Sequence, residues 1–173
     1  MINWGDYSLY EPPVLGPPEN MSRRDARVAY ADVMEKKPER LNYLKAFAAR
    51  NGVVLDGHRE STDTWGRWFY EHVEEDPVRP GRLLGDWYSL VFDTGLFVGD
   101  LIIAKNPARF WKMQEGGKQH ISYQKPVIAG FDDPRYSVDP DRFIAGLGYA
   151  GIKRKPLDDS PIWEYVAIAA GEG

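Results

Sequence analysis

Cysteine is absent from this 173-residue chain. That excludes a disulfide framework, a thiol nucleophile and every thiolate metal site, and it is compatible with a reducing compartment. Histidine is scarce. His58, His72 and His120 stand far apart, with no pair at the helical spacing of a zinc protease motif, so neither a metal nor a cofactor is expected. No serine lies in a Gly-x-Ser-x-Gly elbow, and there is no Walker loop. No run approaches the roughly 20 apolar residues that span a bilayer, and the first twenty residues lack the basic start and apolar segment of a secretory signal. The expected location is the cytoplasm, without a membrane partner. A net charge of −4 gives no pull toward phosphate backbones, so nucleic acid is not an expected partner, and Lys153, Arg154 and Lys155 read as a solvated loop.

What is present is the material of one core: 43% hydrophobic and 13% aromatic residues, in a length that suits a single domain. Residues 1–20 carry Pro12-Pro13 and Pro17-Pro18, which fix φ and remove donors, so this segment reads as an extended arm. Trp4, Tyr7, Leu9 and Tyr10 would dock it on the domain formed by residues 21–173, or on a partner.

Ser22, with Asp25 three positions on, marks a capped helix running to about Lys37. Pro38 is expected to end it and to open a second helix that stops at Asn51-Gly52. A third helix, capped by Ser61 or Thr62, carries Trp65, Trp68, Phe69, His72 and Val73 on one face. A fourth carries Leu83, Leu84, Trp87, Tyr88 and Val91 and ends near Phe92. From Leu96 the composition turns β-branched and aromatic. "LFVGDLIIAK", "ARFWKM" and "HISYQKPVIAG" read as an antiparallel meander, with a tight turn at Glu115-Gly116-Gly117-Lys118. Asp139-Pro140 starts a further helix with Phe143, Ile144 and Leu147 inward, and "GLGYAG" reads as its small-residue end. "PIWEYVAIAA" fits a strand or a short helix. The fold class expected is α+β, with N-terminal helices packed on an antiparallel sheet and a helical C-terminal part.

"VFDTGLFVG" contains Asp93-Thr94-Gly95 behind an apolar run. With the later Phe143-Ile144-Ala145-Gly146 it resembles the retroviral aspartic proteases, in which each subunit of a dimer supplies one carboxylate to a pair sharing a proton. Leu96 stands where that family has a small residue, and the preceding segment reads as helix where the protease fold has strands. A helix-to-strand corner, with Gly95 in a left-handed position, accounts for more residues. The segment "DTGLFVGDLIIAKNPARFWKM", followed by "PVIAGF", is similar to small bacterial domains, some found among toxin-immunity proteins. That resemblance implies an α+β protein acting by binding.

The expected function is therefore a protein-binding module of immunity or accessory type, with Trp4, Tyr10, Arg23, Arg24, Trp111 and Tyr123 as anchors, because Trp, Tyr and Arg dominate interface hot spots. A homo-oligomer is compatible with this reading. Two alternatives stand beside it. One is a hydrolase-type enzyme built around Asp93, Asp100 and His120. The other is a small-molecule sensor whose aromatic pocket is lined by Trp65, Trp68 and Trp87.

Overall fold

Ser22 starts the first helix: its hydroxyl accepts from the Asp25 amide at 3.1 Å and donates to the Asp25 carboxylate at 2.8 Å. In the computed structural model, which describes residues 1–172, this helix is α1, Arg23–Arg50. It runs straight through Pro38, against the expectation of two helices. A proline inside a helix costs about 3 kcal/mol. Here the ring faces outward, while Val33 before it and Arg40, Leu44, Phe47 and Ala48 after it are all buried. Burial on both sides of Pro38 outweighs the local penalty, since packing of one face supplies most helical stability.

Helix α2 is Arg59–His72 and begins ahead of the expected caps. His58 holds the cap position without a side-chain bond, Ser61 bonds Asp56 instead, and Thr62 is buried. Helix α3, Trp87–Lys105, overturns a larger expectation. The segment read as a helix ending near Phe92 and a strand from Leu96 is one continuous helix. It is apolar nearly all round, and periodicity alone does not distinguish such a run from a buried strand. At 19 residues α3 is also long and apolar enough to cross a bilayer, contrary to the reading that no run is, and about two thirds of it is buried inside the protein. Helices α1, α4 (Pro140–Ile152) and α5 (Trp163–Ala170) pack around it.

The sheet is small. Strands β1, Phe110–Met113, and β2, Pro126–Ala129, pair antiparallel with Trp111 opposite Ile128, and Ile128 forms a further bridge to Val138. The architecture is α+β as expected, but the sheet covers much less than residues 96–130. The link between the strands is the twelve-residue segment 114–125, not a tight turn at Gly116-Gly117. Asp139 caps α4 as anticipated, accepting from the Arg142 amide at 3.0 Å, and "GLGYAG" forms its second half. The ambiguous C-terminal segment is helical. Asp63 of α2 holds its start, accepting from the Ile162 and Trp163 amides at 3.1 and 2.9 Å.

The tryptophan stripe of α2 belongs to the core. Trp65 stacks on Trp68 at 5.1 Å, Phe69 meets Trp87 edge-on at 5.6 Å, and Trp65 and Trp87 have no exposed surface. The rings fill the space between themselves, so the pocket expected at Trp65, Trp68 and Trp87 is occupied by its own walls.

Gly99 separates packing from propensity. A β-carbon there would clash with the Trp111 ring, whereas one on Gly146 of α4 would meet nothing within 4 Å. Glycine inside a helix costs about 1 kcal/mol relative to alanine, but overpacking a fixed ring costs about 1–3 kcal/mol. Gly146→Ala is therefore expected to raise the urea midpoint, and Gly99→Ala to lower it.

Candidate functional site

The Asp-Thr-Gly stretch lies mid-helix in α3, and each residue serves a different contact. Asp93 is fully buried and receives two hydrogen bonds from Arg40 of α1, from Nε at 2.8 Å and from Nη2 at 2.7 Å. The Tyr7 hydroxyl donates to the same carboxylate. Thr94 accepts from the indole of Trp65 at 3.1 Å. Gly95 lets the first turn of α4 approach: a β-carbon there would lie 2.8 Å from the Asp141 Cα. Gly95 is helical, so the left-handed corner expected there does not exist.

Asp93 therefore faces a guanidinium, not a second carboxylate, and has no surface for a substrate. Burial pushes its pKa up, while the hydrogen bonds from Arg40 and Tyr7 pull it down. Burial also works against the Arg40 charge, but the hydrogen bonds and charge of Asp93 outweigh it and raise the Arg40 pKa. The bidentate geometry fits an ionised pair, because a planar fork matches a carboxylate oxygen for oxygen. Arg40 also donates from Nη1 to the Ser8 carbonyl at 2.7 Å, and its guanidinium lies 5.2 Å from the Tyr43 ring centre.

Two turns further along α3, Asp100 accepts from Lys37 Nζ at 2.5 Å and from the Trp111 indole at 2.8 Å. Asp93 and Asp100 thus share the face of α3 that meets α1. His120 lies in the 114–125 segment, where its Nδ1 accepts from the Ser122 amide at 3.1 Å, and it joins neither carboxylate.

The arm docks intramolecularly on these elements. Trp4 packs 5.0 Å from Phe47 and 5.7 Å from Trp87. Tyr10 stacks on Phe92 at 4.4 Å, its amide donates to Ser89 Oγ at 2.9 Å, and its hydroxyl donates to Asp32 at 2.9 Å. Eight residues later the arm is held again: Gln124 Nε2 donates to the Pro18 and Met21 carbonyls at 2.6 and 3.0 Å. Of the other expected anchors, Tyr123 is buried, Trp111 is half-buried against Asp100, and Arg23 and Arg24 are exposed at the start of α1.

Between the two arm anchors lies a cavity of about 310 Å³. Tyr10, Pro12, Val14 and Gly16 of the arm form one wall, Ala29, Tyr30 and Val33 of α1 a second, and Phe92 and Leu96 of α3 a third. Trp111, Gln124, Lys125 and Pro126 close the side toward the sheet, and Asp141 at the start of α4 completes the lining. The volume lies at the lower end of the range for small-molecule pockets, and such pockets are mostly apolar with a few polar groups. This one is apolar apart from Asp141, Asp139, Lys125, Gln124 and the two tyrosines.

Asp141 is the unusual member. It is half-buried, with part of its surface open onto the cavity, and no hydrogen bond from the described residues reaches its carboxylate. Burial, reinforced by the charge of Asp139 and opposed by that of Lys125, pushes its pKa up to about 6. Sequence reading missed it because an acid in the first turn of a helix is ordinary, serving to complement the helix dipole. It also missed Arg40 and Gln124. Only the contact partners of these three residues, all remote in sequence, set them apart.

Arg40→Met leaves Asp93 buried without its counterion and is expected to cost about 3–5 kcal/mol in urea unfolding, while Arg40→Met combined with Asp93→Leu recovers part of the loss. For Asp141 the native pKa is about 6 against an ordinary 3.8, so between these values the native state holds a proton that the unfolded chain has released. Stability from this group is complete below pH 4 and is lost as pH rises through 6. The full conversion is about 3 kcal/mol, and cavity water screens part of it. Asp141→Asn is therefore expected to match the parent near pH 4 and to exceed it by about 2 kcal/mol at pH 7.5 in the same measurement.

No protein-family model, no curated protein and no solved structure matches this chain.

Proposed function

We propose that this protein is a small-molecule-binding module whose ligand sits in the cavity under the N-terminal arm. The observation that carries the reading is the cavity itself. It is mostly apolar, has one unbonded carboxylate in its lining, and is spanned by a segment pinned at Tyr10 and Pro18 but not between them. Its walls are mostly apolar, so it leaves apolar surface uncovered that a ligand would bury. Ligand in the cavity would touch Pro12, Val14 and Gly16 directly, so occupancy would be read out in the position of the arm. This is the sensor class of function, moved from the tryptophan stripe to a different part of the molecule.

A protein partner is the second reading. It is supported by exposed large apolar side chains: Leu15 at 87% and Val28 at 49% stand next to cavity-lining residues in sequence, and Ile121 at 61% stands three positions before Gln124. A partner on these residues would sense the arm, so the two readings are compatible as one signalling device.

The test is titration with N-phenyl-1-naphthylamine, a dye that brightens in apolar surroundings. One saturable site per chain is expected. Ala29→Phe, which projects a ring into the cavity from α1, is expected to weaken binding at least about tenfold while leaving the circular dichroism spectrum unchanged. Undiminished binding to that variant would move the site elsewhere, and absence of binding by the parent chain would end the small-molecule reading.

A further inference from the structure

The cavity is short of donors. The Asp141 carboxylate has none among the described residues. In the same lining, Gln124 is 3% exposed and spends its amide nitrogen on the Pro18 and Met21 carbonyls, and its Oε1 is buried without a partner among the described residues. Asp139 contributes a second negative charge, although its oxygens are engaged by Ser122 Oγ at 2.6 Å and by the Arg142 amide. Against these stands one cation of the lining, Lys125, which acts on Asp141 through space without a hydrogen bond. Buried acceptors left unpaired are costly, and native structures rarely keep them without a reason.

The sign of the missing group follows from charge counting. Two carboxylates and one ammonium give the site a net charge of −1, and the positive end of α4 is already met by its own Asp139 cap. An anionic ligand would raise the imbalance to −2. A neutral ligand would leave it unchanged. A monocation brings it to zero and supplies donors where acceptors are in surplus.

We infer that the cavity takes an apolar molecule carrying one protonated amine, with the ammonium donating to Asp141 and the apolar body lying between the arm, Val33 of α1 and Leu96 of α3. This rests on the small-molecule reading above and narrows it to one class of ligand. At about 310 Å³ the cavity holds the equivalent of about ten waters, so a body of eight or nine non-hydrogen atoms fits. Binding requires the ionised form of Asp141, which titrates near 6 among the groups that face it: Asp139 of its own segment, Lys125 beside β2, Tyr30 of α1 and Tyr10 of the arm. The α3 wall contributes Phe92, Gly95 and Leu96, which carry no titratable side chain.

The experiment compares three probes with the same chain and different heads, n-octylamine, n-octanol and n-octanoate, by calorimetric titration of the whole protein. At pH 7.5 octylamine is expected to bind at least about tenfold more tightly than octanol, with octanoate weakest, because its ammonium adds the attraction of opposite charges to the hydrogen bond that the octanol hydroxyl also donates to the ionised carboxylate. Its advantage over octanol is expected to shrink at pH 5. Asp141→Asn keeps the shape of the side chain and removes its charge, so it is expected to lose the preference for octylamine over octanol. Equal binding of octylamine and octanol, or a preference for octylamine that survives Asp141→Asn, overturns the amine assignment while the cavity reading stands. Binding of none of the three probes by parent and variant overturns both.

Discussion

The buried pair of Arg40 and Asp93 is the constraint on which the rest of the structure depends. It ties the longest helix, α1, to the central helix, α3, and through the Ser8 carbonyl and the Tyr7 hydroxyl it ties the N-terminal arm to both. Exchanging a buried ion pair for apolar side chains is often neutral for stability. Its value here lies in selection. An unpaired charge in this core is expensive, so registers of α1 against α3 that separate Arg40 from Asp93 are strongly disfavoured. Lys37 with Asp100 repeats the device two turns along α3 and adds the Trp111 indole, which brings β1 onto the same face.

That arrangement accounts for the cavity. With α1 and α3 held by charge at one side and the arm pinned at Tyr10 and Pro18, the space between them is bridged and not filled. The bridging residues that face it are Pro12, Val14 and Gly16, which supply little volume. Gly95 admits the start of α4 to the same region, which is how a first-turn aspartate becomes part of the lining. The acid lies among apolar walls for a topological reason, the crossing of α3 and α4, and that placement raises its pKa.

The Asp-Thr-Gly stretch shows how one short motif can serve two different physical arrangements. In a protease loop its oxygens and amides organise a water and a proton. In this helix the carboxylate meets Arg40 and Tyr7, the hydroxyl meets Trp65, and the glycine admits another helix. Three neighbouring residues face three directions because successive positions on a helix are rotated by about 100°. The motif has become a junction of packing contacts.

The sequence by itself determined the features that depend on neighbouring residues. The Ser22 and Asp139 caps were legible because a cap is a contact between positions three apart. The aromatic face of α2 was legible for a similarly local reason, and the prolines keep residues 1–17 out of regular helix and strand, although Pro18–Asn20 form a short 3-10 turn where extended chain is expected. Residues 96–105 were misread because a helix buried on every side lacks the polar face that reveals its period, and Pro38 was misread because long-range burial can outweigh a local penalty. The functional candidates divide in the same way. Tyr10 and Trp111 were named from residue type and do line the cavity, but the roles of Arg40, Gln124 and Asp141 come from partners 53, 106 and 103, and 46 positions away. Only the tertiary structure decided which charges are paired and which one is left facing the cavity, because desolvation and pairing belong to the assembled fold and not to the order of residues along the chain.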